Sequence, residues 1–244
     1  MHYIAPKTTV VVAGSINEKK VLAQIRGYFD GLPRKKGVSK KPTKWKQRKP
    51  ELMLKFKESD QSHLVLGLRA FDIFDKRRYA LQVLSDVLGG GMSSRLFHKV
   101  REELGAAYYV NSGADLYLDH GYLAVSAGVD HTKIEKVLEV VLQELQRLAT
   151  EPVPEKELQK SKDHLVGNFI LGLETADELA GFYGEQEVMT KKISPPKHFI
   201  DKIRKVTAEE IQNVAKAIVK NERLNLAVIG PYKNSGVFRK ILKL

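Results

Sequence analysis

The residues able to do chemistry in this chain are limited first by their spacing. Seven histidines stand at positions 2, 63, 98, 120, 131, 164 and 198. A helical hydrolytic zinc centre needs two imidazoles one turn apart and a carboxylate beside them to serve the metal-bound water. No two of these histidines have that spacing. The absence of cysteine also excludes thiolate metal sites, disulfides and cysteine nucleophiles. Gly89-Gly90-Gly91 lacks the Gly-Lys-Ser/Thr ending of a phosphate loop and has no strand directly before it, so it reads as a helix stop. Glu102 and Glu103 are consecutive on a helix, do not face each other, and make poor acid–base partners. Arg101, near that helix's end, reads on physical grounds alone as a cation complementing the helix dipole. Tyr108 and Tyr109 are neighbours on a strand, and period-two alternation sends their rings to opposite faces. His63 and His98 are the histidines to inspect for a nearby site; the others read as surface or turn residues.

Hydrophobic periodicity marks the elements that must position these groups. Tyr79, Ala80, Val83, Leu84, Val87 and Leu88 form i,i+4 rows that predict an amphipathic helix over 76–88. Ser93-Ser94 can cap a second, short helix running through Arg101. Tyr108–Tyr117 and Tyr122–Val129 read as strands joined by a turn at Asp119-His120-Gly121, and Leu52–Phe56 and His63–Leu68 as two earlier strands. A long helix carries Ile134, Val137, Leu138, Val141, Leu142, Leu145 and Leu148 and is broken at Pro152 and Pro154. Helical stretches follow over 155–172, 176–190 and 207–220, the last opened by the Thr207/Glu210 capping pair. Leu224–Ile229 closes the series as a buried strand. This order predicts an α+β fold, an antiparallel sheet with helices covering one face.

Ahead of that region, Thr8–Ala13 is β-branched and continuously apolar, which predicts a strand buried on both faces. Val21, Leu22, Ile25 and Phe29 then predict a helix capped from Ser15-Ile16-Asn17-Glu18. Residues 1–32 therefore read as the terminal strand–helix piece of a preceding domain, expected to pair with another copy or an exposed sheet edge. Residues 33–50, with three prolines and a glycine among lysines and no apolar period, read as a basic linker. Residues 51–244 form the second domain. Thr9–Gly14 resembles Asn225–Gly230, and each precedes a helix-like tail, which suggests two related domains.

At 244 residues and 43% hydrophobic content the chain can bury a sizeable core. No apolar run approaches the roughly 18 to 20 residues of a membrane span, and residues 1–14 lack the features of a signal peptide. A soluble protein is expected, with a cytoplasmic setting favoured. The formal charge of +12 is concentrated in 34–49, a solvated connection more than a binding face. Without a helix-turn-helix pattern or aromatic-plus-basic stacking motif, nucleic acid is not an expected partner.

The run Leu88-Gly89-Gly90-Gly91-Met92-Ser93-Ser94-Arg95-Leu96-Phe97, continued by Arg101-Glu102-Glu103-Leu104-Gly105-Ala106-Ala107-Tyr108, resembles the signature of the second homologous domain of pitrilysin/insulinase-type zinc metallopeptidases. The mitochondrial processing peptidases and the core subunits of respiratory complex III share it. Later stretches, Glu151–Gly167, Val206–Val219 and Leu224–Pro231, are similar to that domain's remaining helices and closing strand, and Tyr3–Pro33 to the end of the first domain. The resemblance implies an inverted His-x-x-Glu-His zinc motif on the first domain, which this chain lacks. In the second domain the motif would fall at Val83-Leu84-Ser85-Asp86-Val87, with valines that cannot bind zinc in both ligand places. It also implies that Arg101 and Tyr108, seven residues apart, reach across to the zinc site. There the guanidinium would hold a peptide carbonyl or carboxylate and the phenol a developing oxyanion. The implied function is the non-catalytic C-terminal portion of a zinc metalloendopeptidase. It would hold no cofactor itself, with zinc in the complete enzyme, and would take as partners a zinc-motif-bearing domain or subunit and a peptide substrate, in a homo- or hetero-oligomer. The alternative is a structural or assembly subunit like the complex III core proteins.

Overall fold

Alternation of buried and open residues builds one sheet in the computed structural model, which describes residues 3–244; His2 lies outside the described residues. The strands are β1 (Glu51–Phe56), β2 (Ser62–Ala70), β3 (Ala107–Leu116), β4 (Gly121–Val129) and β5 (Leu224–Gly230), in the order β1-β5-β2-β4-β3. All neighbours are antiparallel except β1, which joins β5 in parallel. Leu64, Leu66 and Leu68 of β2, Leu123, Val125 and Ala127 of β4, and Leu224, Leu226 and Val228 of β5 are buried on one face. Their neighbours His63, Val65, Ala227 and Ile229 point the other way and are exposed.

The buried face is covered by α2 (Arg78–Gly89), α3 (Ile134–Thr150) and α7 (Ala208–Ile218). Thr207 caps α7 with both halves of its capping box formed. The expected α+β layout with helices on one face is borne out. The parallel pair arises because β5 inserts between β1 and β2, which are consecutive in sequence but do not pair.

Two elements differ from the periodicity. A ten-residue helix, α6 (Pro196–Lys205), follows α4 (Glu155–Leu171) and α5 (Ala176–Met189), and it buries only Ile203. So thin an apolar face gives little pattern to detect. The run Thr8–Ala13 forms no strand and has no ladder partner among the described residues, and Val10, Val11 and Val12 are each about two-fifths exposed. A strand exists only through its neighbour's hydrogen bonds, so β-branched composition alone does not form one. Helix α1 (Glu18–Phe29) does form, with the Asn17 side chain accepting from the Lys20 amide at 3.1 Å.

The chain divides into two compact units. The larger, Lys44–Leu165 with Ile200–Leu244, holds the whole sheet. Within it Trp45 lies under the Arg69 guanidinium at 4.8 Å, and Gln47 donates to the Leu224 carbonyl at 2.8 Å. The smaller comprises the described residues up to Thr43 with Val166–Phe199. It is organised around the rings of Phe169, Phe182 and Phe199 and the buried side chain of Ile4, yet α1 and α5 bury no residue at all.

Leu81, Val83, Leu84, Val87 and Leu88 on α2 are each at most 1% exposed, so this helix carries the centre of the larger unit's core. Leu84→Ala is expected to cost about 2–5 kcal/mol through lost burial and the cavity left behind. The shift of the urea unfolding midpoint measures it.

Candidate functional site

Close approach fixes the turn that follows α2. A Cβ on Gly90 would fall inside the Asp86 carboxylate, and one on Gly89 would stand 2.7 Å from the Ser112 amide on β3. Asp86 has a side chain only 7% exposed and meets His164 Nδ1 of α4 at 2.7 Å. Burial pushes its carboxyl above the usual carboxylate range, while the hydrogen bond to His164 pulls the other way without reversing the shift. The pair lines a small pocket of about 220 Å³ together with Met92, Ser93, Lys160 and Ser161. Val83 and Val87, where the resemblance set the ligand places, are 0% and 1% exposed in the apolar core. Among the described residues no group of three or more histidines and acids stands together as metal ligands would. These residues do not fit zinc.

Charge fixes the helix after the turn. Arg95, whose side chain is 11% exposed, is bidentate to Glu157 of α4, with both contacts at 2.8 Å, and its other nitrogen stands 3.5 Å from Glu144 of α3. Glu144 is 2% exposed and also meets Arg147 at 3.0 Å and Lys99 at 3.5 Å. A buried carboxylate needs such company to stay ionised. The expected short helix through Arg101 forms and is wound as a π-helix over Phe97–Glu103. π-turns are rare and frequent at functional sites. The Leu104 amide reaches back to the Lys99 carbonyl at 3.2 Å. Gly105 then takes a left-handed φ of +52°, open to glycine at no steric cost, and Lys133 binds the carbonyls of both Leu104 and Gly105.

The chain thus arrives at β3 with a defined offset. Ala107 pairs with Val129 but Tyr109 pairs with Gly128, so Tyr108 is the extra residue of a β-bulge. Strict alternation fails here, and both tyrosines are exposed, Tyr108 at 61% and Tyr109 at 39%. Arg101 is exposed on the π-helix, with its guanidinium 5.3 Å from the Phe97 ring and its Nη1 donating to the Tyr108 carbonyl at 3.0 Å. Arg101 and Tyr108 are therefore brought together, through the tyrosine's backbone. His98 is bonded to Glu102 one turn away on the same exposed π-helix. His63 hydrogen-bonds the Tyr109 hydroxyl through Nδ1 at 3.1 Å.

Residues 1–165 match the peptidase M16 inactive domain, which covers more than half of the chain. The chain belongs to the M16 peptidase family. An uncharacterized zinc protease of Mycobacterium leprae is 32% identical over 245 residues, covering 99% of this chain and 55% of that protein. Among solved structures, a protease from Helicobacter pylori superposes with a TM-score of 0.79 at 21% identity, over 89% of this chain and 54% of that one. A chain of Candida albicans complex III does so with a TM-score of 0.79 at 12% identity, over 95% of this chain and 57% of that one. Both of the latter establish the fold alone. The chain spans about half the length of the curated relatives it matches.

As an M16 domain the chain is of the inactive, C-terminal type. The residues that sequence reasoning missed are those that set its geometry. Glu144 had a signal, because it lies three residues after Val141 and four before Leu148 on the apolar stripe of α3. The Asp86–His164 pair and the bulge had none.

Two outcomes follow. Glu144→Ala removes the shared partner of Arg95, Lys99 and Arg147 while Arg95 keeps its bidentate pair to Glu157, and should cost about 1–3 kcal/mol in denaturant unfolding. Because the folded carboxyl of Asp86 titrates above its unfolded value, its contribution is fully present at low pH and is lost as pH rises through the folded pKa. Asp86→Asn should therefore gain melting temperature relative to the parent as pH is raised upward from the ordinary carboxylate range.

Proposed function

We propose that this chain is the non-catalytic half of a zinc metalloendopeptidase, lending substrate binding and transition-state support to a zinc site on another domain or chain. The observation that carries this reading is the joining of Arg101 to Tyr108 at the exposed end of β3, with both side chains presented to solvent. A guanidinium has five donors, and the bond to Tyr108 uses one. The others can hold a peptide carbonyl, while the phenol can donate to an oxyanion as water attacks. The buried valines at the ligand places favour a metal held elsewhere.

The smaller unit supports the same reading. Helices α1 and α5 bury nothing and the valines of Thr8–Ala13 have no sheet partner among the described residues, as expected of surfaces that a companion domain would cover. The relatives' greater length is consistent with such a companion. No helix of the described residues is long and apolar enough to cross a membrane. The second reading, a structural subunit, is favoured only by the fold shared with the complex III chain.

The purified chain should show no chelator-sensitive peptidase activity. Adding a chain or upstream segment that carries His-x-x-Glu-His should restore it. In that assembly Arg101→Ala and Tyr108→Phe should each lower kcat by on the order of 10²-fold, with smaller changes in KM. Full activity in both variants would favour the structural subunit instead.

A further inference from the structure

We propose that Tyr109, oriented by His63, is a second ligand-contacting phenol beside Arg101 and Tyr108, donating its hydroxyl proton to a peptide carbonyl when His63 supplies a proton on Nδ1. The proposal rests on reading this rim as peptide-contacting.

The bulge at Tyr108 turns Tyr109 onto the open face of the sheet, opposite Gly128. A Cβ at 128 would collide with the Tyr109 ring, so the mid-strand glycine gives the ring its seat. Glycine there costs roughly 0.5–1 kcal/mol relative to alanine. His63 pairs with Gly128 from the other side, and its imidazole stacks on Tyr109 at 6.1 Å and 27°. The Tyr109 hydroxyl and His63 Nδ1 stand 3.1 Å apart. An exposed phenol held by a stack, a seat and a hydrogen bond has already lost its rotamer freedom before a ligand arrives.

The direction of that hydrogen bond decides what the phenol can offer. With a bare Nδ1, Tyr109 donates to the imidazole and its proton is occupied. With Nδ1–H, the imidazole donates into the phenol oxygen and the phenol proton is available to a ligand. Imidazolium always carries Nδ1–H, so lower pH favours the donor state. The charged and titratable groups around the pair are Lys55 beyond Ile229 in the same row, Asp130 just past β4, and His98, Arg101 and Glu102 of the π-helix. Asp130 is bonded to Thr132, His98 to Glu102, and Arg101 to Tyr108.

Two measurements test this. In the chain alone, the ¹⁵N chemical shift of His63 Nδ1 at neutral pH should change in Tyr109→Phe, because its hydrogen bond to the phenol is gone; an unchanged shift overturns the proposal. In the assembly with a His-x-x-Glu-His-bearing partner, kcat/KM for a fluorogenic peptide is followed from pH 5.5 to 8.5. Tyr109→Phe and His63→Ala should each lose on the order of tenfold at the acid end and less at the alkaline end. His63→Asn, whose amide nitrogen overlays Nδ1, should keep the rate and flatten the pH dependence. Full activity in Tyr109→Phe while Arg101→Ala is impaired overturns this proposal alone. Full activity in Arg101→Ala overturns the reading of the rim on which it rests.

Discussion

Glu144 is a carboxylate with 2% exposure in the middle of α3, and such a group either gathers cations or gives up its charge. It gathers three. Arg95, Lys99 and Arg147 converge on it, and Arg95 extends the network through a bidentate pair to Glu157 on α4. Two of those cations belong to the segment that ends in Arg101. The position of the exposed guanidinium is therefore set from below by buried charge, since a surface helix of seven residues has too little apolar face to fix itself. The same network joins α3, α4 and the π-helix, so perturbing it moves the rim and the core together.

From that anchor outward, each step removes a freedom that the previous one left. The turn before the π-helix is held by glycines packed against Asp86 and Ser112, and the turn after it by Gly105 and the Lys133 ammonium. Their combined result is a chain that reaches β3 one residue out of step, and the bulge absorbs the excess at Tyr108. The offset is what allows both tyrosines to be exposed. An in-register strand would have turned one ring toward the helices.

How much of this could be read from residues depends on the range over which each feature is determined. The helices α2, α3 and α7 and the strands β2, β4 and β5 follow from local periodicity, because their buried faces are dense enough to write a 3.6 or a 2.0 repeat into the chain. The helix α6 was illegible because only Ile203 of its ten residues is buried. Thr8–Ala13 failed in the opposite way: its composition is that of a strand, but it pairs with no strand among the described residues. At the site, the proximity of Arg101 and Tyr108 was implied by a family resemblance, whereas the contact through the Tyr108 carbonyl, the π-winding and the His63–Tyr109 pair depend on register across three strands. No local pattern encodes a register, so alternation alone could not place the bulge at Tyr108.

The inactivity of the domain also reaches deeper than the identity of two side chains. Val83 and Val87 are not merely poor ligands at a vacant surface, since they are 0% and 1% exposed and pack the larger unit's core with Leu81, Leu84 and Leu88. An imidazole there would be shut off from water and from any substrate, and a cation bound to it would carry the desolvation cost of a buried charge. The nearest acid, Asp86, is already engaged by His164. A helix packed in this way can be rigid where a metal-bearing one must stay accessible, and that rigidity is what an element carrying the Gly89–Gly91 turn requires. The apolar packing at Val83 and Val87 and the fixed position of the turn after α2 are thus two consequences of the same burial.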